Sequence, residues 1–419
     1  MAANVRVVWG AVSGKVSRPN GVARAFRKRT RVLTAAGALG FGVLGLSLAA
    51  CSSTDSNASN DEAAQRAVAI HYAKIVRANY ADSIAGAQRL ATAVDAFVAT
   101  PTDATLKAAR EAWVAARPAY DETEAFRFYG GPIDGPEGRE MRINAWPLDE
   151  NYMDSTKAQP KGGLINDAAS FPDLSTQTIA AQNQKGGEKN VTTGWHAIEF
   201  LLWGQDTSKT GPGERPASDF LEGGTLPNGA RRGAYLKAIA QLLVEDLKFV
   251  AAQWDEASAT SYGATFVRGN PSTALASILK GLGTLAGGEV ARQRMNNAYE
   301  TKDQEEETSC FSDTTTLDLL HDVLGIENVY LGRYGTLQGP GISSLVAAKD
   351  GSLDARVRAD VASLKAAISA IPTPFDQTIL AAEGSEERKK LKAAITSAKA
   401  LTQSIGDVAK VLGVTINFE

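Results

Sequence analysis

The chain has 419 residues, with 44 basic and 47 acidic side chains, three histidines and two cysteines. Two cysteines exclude a disulfide scaffold and a multi-cysteine zinc site. The acidic balance gives no support to a nucleic-acid partner.

Residues 1–50 hold eight basic residues, Arg6, Lys15, Arg18, Arg24, Arg27, Lys28, Arg29 and Arg31, and no acidic one. An uncharged run follows and closes on Leu48-Ala49-Ala50-Cys51, small residues before a cysteine as in a bacterial lipoprotein signal. Cleavage there would leave Cys51 to carry lipid and tie the protein to the cell envelope, periplasmic or outer-membrane-associated. A retained transmembrane helix is the alternative, disfavoured by the Gly and Ala content of the run. Without the leader's eight cations, 36 basic residues face 47 acidic ones, a net charge of −11 that tolerates a cationic ligand. Residues 51–62 contain SSTDSNASNDE, which has nothing to bury and reads as a disordered tether.

Helical periodicity then dominates. Apolar residues recur at helical spacing over 63–97, and Pro101 closes the pattern. A second helix fits 102–128, punctuated by Pro118, and GGPIDGPEG at 130–138 reads as a loop. Residues 155–190 are polar and form a long connection with short turns. The stretch GWHAIEFLLWG at 194–204 reads as a buried helix, capped by Thr192 or Thr193 and ended by Gly204. After a loop over 206–230, helices are expected at 231–257, 273–300, 354–371 and 385–412. No alternating β-branched run proposes a sheet. The fold class is therefore all-α, with two helical-bundle-like domains, 63–230 and 231–419, and long loops. Both halves set long helices around a looped insertion, as internal duplication would, although no residue-level repeat shows it.

His196 and Glu199 are the hydrophilic side chains inside that buried helix, three apart and on one face. A buried carboxylate costs several kcal/mol unless it is paired, protonated or bound to a metal. The spacing is half a metal site: Ala197 and Phe200 stand where a zincin would carry its glutamate and second histidine. Catalytic zinc also needs about three protein ligands. The plainer reading is a hydrogen-bonded pair that holds two helices in register. His71 reads as a core position, and His321 follows Asp318 by three on one helix face. Glu124 and Arg127, and Asp149 beyond Trp146, are candidates to reach the His196 helix; capped helix ends or surface ion pairs are the alternative. The run QEEETSCFSD at 304–313 reads as a solvated acidic face, with Ser312 and Asp313 capping the next helix. No phosphate cradle or nucleophile elbow is present.

Four ordered blocks, GWHAIEFLLWGQD at 194–206, EAFRFYGGPID at 124–134, INAWPLD at 143–149 and CFSDTTTLD at 310–318, extended by GIENVYLGRY at 325–334, carry a resemblance to the imelysin family. The first contains that family's Gly-x-His-x-x-Glu motif. The resemblance implies an envelope protein, often a lipoprotein, of two helical bundles with the motif in a cleft near their interface. It also implies iron-regulated expression and a role in iron uptake, beside a peptidase label that spread from an insulin-cleaving membrane protease. It assigns His196 and Glu199 as metal ligands and Glu124, Arg127, Trp146, Asp149, Ser312 and Asp313 as ligand-binding companions. Thr308 and Thr316 stand where family histidines are expected, so nitrogen donors are missing here.

The function expected is therefore binding of iron or an iron-containing ligand, with zinc the second metal and uptake-system proteins as partners. A metallopeptidase with Glu199 as catalytic base and a structural interaction module are the alternatives.

Overall fold

A proline and a threonine set the boundary between the first two long helices. Helix α1 (Ser52–Ala99) stops before Pro101, whose ring and missing N–H cannot extend it. Thr102 then opens α2 (Asp103–Asp121) with a capping box, its hydroxyl accepting from the Thr105 N–H while the Thr105 hydroxyl accepts from the Thr102 N–H. The computed structural model describes residues 52–418, with side chains from 61 onward, so the expected signal segment and the expected lipidation at Cys51 lie outside the described residues. The polar stretch expected as a tether continues α1 from Ser52, and Asp61 pairs with Lys349 at 2.7 Å.

Pro118 lies inside α2 rather than ending it, and the helix tightens into a 3-10 turn at Glu122–Phe126. The long connection holds α3 (Glu140–Ile143), α4 (Glu150–Met153) and α5 (Thr176–Ala180). The expected buried helix is α6 (Gly194–Trp203), every residue of which is buried, and Gly204 ends it at φ 74°. Its threonines do not cap it with their side chains: Thr193 donates to the Arg142 carbonyl and Thr192 to the Ile179 carbonyl, both tying the long loop to the helix.

Beyond it come α7 (Gly229–Ala252), α8 (Tyr262–Arg268) and α9 (Pro271–Thr284), which widens into a π-helix over Leu285–Asn296 and continues as α10 (Asn297–Thr301). Helix α11 (Thr315–Leu331) leads to a two-residue hairpin, β1 (Arg333–Tyr334) against β2 (Leu337–Gln338), the only strands among the described residues. Then follow α12 (Ile342–Lys349), α13 (Gly351–Ser369), α14 (Phe375–Leu380) and α15 (Glu386–Leu412).

The architecture is all-α, as the periodicity predicts. Helices α1, α2, α6 and α7 pack on one another, while α15 packs on α13, α9 and the π-helix. Helix α11 joins the two groups, lying on α2 and the 3-10 turn on one side and on α13 and the π-helix on the other. This junction matters because charged side chains from α2, the 3-10 turn, α11 and the π-helix all turn inward there.

Candidate functional site

Gly194 makes the approach to the site feasible. Its φ is +90°, and a Cβ there would stand 2.4 Å from the Ile143 carbonyl oxygen, so the chain enters α6 in a conformation and at a distance that suit glycine. One turn further in, His196 and Glu199 are 1 % and 0 % exposed. His196 Nδ1 and Glu199 Oε2 lie 2.8 Å apart. Glu199 Oε1 accepts from the Ser312 N–H at 2.9 Å and from its hydroxyl at 2.7 Å. Both carboxylate oxygens are thus engaged, whereas the buried His196 Nε2 has no hydrogen-bond partner.

Burial dominates the protonation of both groups. It pushes His196 down to about 3, with Arg117 adding to the effect. It pushes Glu199 up to about 8; the Ser312 hydroxyl acts against this, and Asp318 acts with it. Near neutrality the pair is therefore uncharged, with one proton between Oε2 and Nδ1 and a second on Nε2.

Around the pair lies a buried ionic network. Arg117, fully buried, meets Asp121 at 2.7 Å and Asp318 at 3.2 Å and donates to Asn144 at 2.8 Å. Its guanidinium also lies over the rings of Trp113, Tyr120 and Trp195, at 5.5, 5.5 and 5.6 Å. Asp318 further accepts from Ser309. Arg294, from the π-helix, bridges Glu124 of the 3-10 turn at 2.5 Å and Asp322 of α11 at 2.6 Å. Glu124 also pairs with Arg127, which reaches Glu140 at 3.0 Å.

The candidates drawn from sequence divide accordingly. Glu124 and Arg127 belong to this network. Arg127 and Trp146 line a cavity of about 350 Å³ together with Glu140, Asn144, Glu289 and Arg294. Ser312 holds Glu199 directly. Asp149 instead caps α4, accepting from the Asn151 N–H at 3.1 Å. His71 bonds to the Gly332 carbonyl oxygen at 3.0 Å, and His321 turns away from Asp318 to meet Glu122 at 3.1 Å. The acidic run also splits: Glu305 is exposed and Glu307 is 1 % exposed, so this run is not wholly a solvated face. Arg117, Asp121, Asp322, Arg294 and Asp376 were not singled out from the sequence, and Glu307 was read only as part of a solvated acidic face. The available signal was the i, i+4 spacing of Arg117 with Asp121 and of Asp318 with Asp322 within otherwise apolar faces.

A metal fits this site through one atom. A histidine whose Nδ1 is held by a carboxylate, with Nε2 facing the interior, is arranged as metal-binding histidines are. Both Glu199 oxygens are hydrogen-bonded, Oε1 to Ser312 and Oε2 to the ring nitrogen. Among the described residues, the His, Cys, Asp or Glu ligand atoms that lie within 4.8 Å of one another in a group of three are those of Glu307, Asp313 and Asp376.

The Imelysin family model (peptidase M75) matches residues 76–405, most of the chain. The chain belongs to the imelysin family. It is 24 % identical over 353 residues to "Iron-regulated protein A" of Synechococcus elongatus, covering 80 % of this chain and 81 % of that protein. A solved structure from Parabacteroides distasonis, described as an iron-regulated protein A precursor, superposes with TM-score 0.67 at 20 % identity over 84 % of this chain and 95 % of that one. An imelysin-like protein from Psychrobacter arcticum gives TM-score 0.61 at 13 % identity, over 85 % and 98 %. These likenesses establish the all-α imelysin fold. No described helix is long and apolar enough to cross a membrane.

Proposed function

We propose that this imelysin-family chain is a lipid-anchored envelope protein that binds iron, or a ligand carrying iron, with His196 Nε2 as a ligand atom and Glu199 as the group that orients it. The observation that supports this reading is the buried, unpartnered Nε2 on a ring fixed through its other nitrogen. A ligating His196 must present a lone pair at Nε2. The proton there then leaves, and Glu199 accepts from Nδ1–H as a carboxylate. The name of the Synechococcus relative, iron-regulated protein A, supports iron over zinc. Lipid at Cys51 would hold the protein at the membrane, where it would pass its cargo to uptake-system proteins.

Burial favours binding over peptide cleavage. A metallopeptidase needs a carboxylate that can take a proton from an attacking water and an open coordination position. Glu199 is 0 % exposed and accepts twice from Ser312, out of reach of a peptide bond in this arrangement.

The test is an iron titration of protein starting at Ser52, beside a His196→Ala variant, read by bound iron and by melting. About one iron per chain is expected, with a rise in midpoint of a few degrees that vanishes in the variant. No bound iron, or equal binding by the variant, would refute the reading.

A further inference from the structure

A second set of ligand atoms lies beside the segment that holds Glu199. Glu307 follows the 3-10 turn Gln304–Glu306, Asp313 stands in the loop before α11, and Asp376 is in the first turn of α14. One carboxylate oxygen from each lies within 4.8 Å of the others. Glu307 is 1 % exposed, and neither of its oxygens has a hydrogen-bond partner. The Thr315 hydroxyl lies near enough to draw its carboxyl downward, but not in hydrogen-bond geometry. Asp376, also buried, accepts from the Gln304 side chain at 2.8 Å and from the Gln377 N–H and side chain, each at 2.6 Å; these amides fix its position without neutralising it. Asp313 is half-buried, with one buried oxygen unpartnered and the other side of the group open to solvent.

No lysine, arginine or histidine forms an ion pair with any of the three among the described residues. The network around Arg117 and Arg294 differs in this respect, since each guanidinium there meets at least two carboxylates. A buried carboxylate without a counter-charge costs several kcal/mol, and two more beside it raise that cost through like-charge repulsion. A cation satisfies all three at once.

We propose that Glu307, Asp313 and Asp376 bind a hard metal cation of charge two or more through oxygen alone. Carboxylate oxygens select hard ions, and no imidazole joins the group. The nearest thiol, Cys310, is held protonated by burial and by the surrounding carboxylates, Glu199 first and then Glu307, so it offers no soft ligand. Asp313 supplies the solvent-facing side, where water completes the coordination shell. A cation held by Asp313 also steadies Ser312, the adjacent residue that donates twice to Glu199. This site is separate from His196 Nε2 and does not rest on the iron reading.

Calorimetric titration of calcium, manganese and terbium into the chelator-treated protein tests it, using wild type, Glu307→Gln, Asp376→Asn and His196→Ala. One ion per chain is expected, with affinity falling at least tenfold in the two carboxamide variants and unchanged in His196→Ala. The carboxamides keep the shape of the side chains they replace. Glu307→Gln without metal should melt no lower than wild type, because the buried acid it replaces has no ion-pair or hydrogen-bond partner. The proposal is overturned if none of the three ions binds at up to about 1 mM, if Glu307→Gln binds as wild type does, or if His196→Ala loses the same ion. The iron titration separates the two sites: iron lost in Glu307→Gln and kept in His196→Ala places iron on the oxygen site and refutes the His196 reading alone.

Discussion

Glu199 and His196 respond to pH in opposite directions. His196 is pushed down to about 3, so between 6.5 and 3 the unfolded chain takes up a proton that the buried ring refuses, and acid destabilises the fold. Glu199 is pushed up to about 8, so from 4.5 to 8 the unfolded chain releases a proton that the folded chain keeps, and stability falls as pH rises. Above 6.5 the histidine no longer contributes, and Glu199 alone of the pair sets the slope, about 1.4 kcal/mol per pH unit. Glu199→Gln imitates the protonated acid: its amide donates to Nδ1 and its carbonyl accepts from Ser312. Between pH 6.5 and 8 its unfolding free energy should therefore gain about 2 kcal/mol on wild type in denaturant titrations. A constant difference across that range would show that Glu199 is ionised throughout. This pair is legible in the sequence because two polar side chains interrupt an otherwise apolar helix. Arg117 and Asp322 are not, because a charge on an amphipathic helix has the same pattern whether it faces solvent or a buried partner.

At the scale of elements, α6 depends on the turn that enters it. Gly194 holds φ +90°, and a Cβ added there would stand 2.4 Å from the Ile143 carbonyl oxygen, so Gly194→Ala meets both a left-handed backbone and a clash. A loss of about 2–4 kcal/mol is expected in chemical denaturation, with the histidine helix displaced from Ser312. A loss under about 0.5 kcal/mol would show that the α6 entrance relaxes freely. Helix ends of this kind are readable from Pro101 and Gly204, and the helices at 231–257, 354–371 and 385–412 emerge close to α7, α13 and α15. The π-helix at Leu285–Asn296 is not readable, since its apolar spacing passes for an ordinary helical period. Widened turns of this type cluster at functional positions. This one carries Arg294 into contact with Glu124 and Asp322, linking the first helical group to α11. The junction is thus built from an element that no local pattern announces.

For the whole molecule, the balance between carboxylates that gain and lose protons on folding sets the conditions under which a cation matters. Glu124 is held at about 2 by Arg127 and Arg294 against its burial, and Asp154 is lowered by Arg215 and Arg232 against its own. These groups contribute stability that acid removes. Against them stand Asp313 and Glu150, each raised to about 7 by burial first and then by neighbouring acids, and Glu307, raised well above its ordinary range. The folded chain keeps those protons longer than the unfolded chain, so stability falls as pH rises toward 8. A cation on the three-carboxylate group replaces the protons held by Glu307 and Asp313 and removes their share of that loss. Scanning calorimetry of the chelator-treated protein should show the midpoint falling between pH 6 and pH 8.5. Calcium at a fixed millimolar concentration should raise it more at pH 8.5 than at pH 6, because fewer protons then compete for the oxygens. Glu307→Gln should abolish the calcium response at both values while His196→Ala preserves it. A calcium effect that is equal at the two pH values would mean that Glu307 and Asp313 are already ionised without metal, and that some other group sets the alkaline loss.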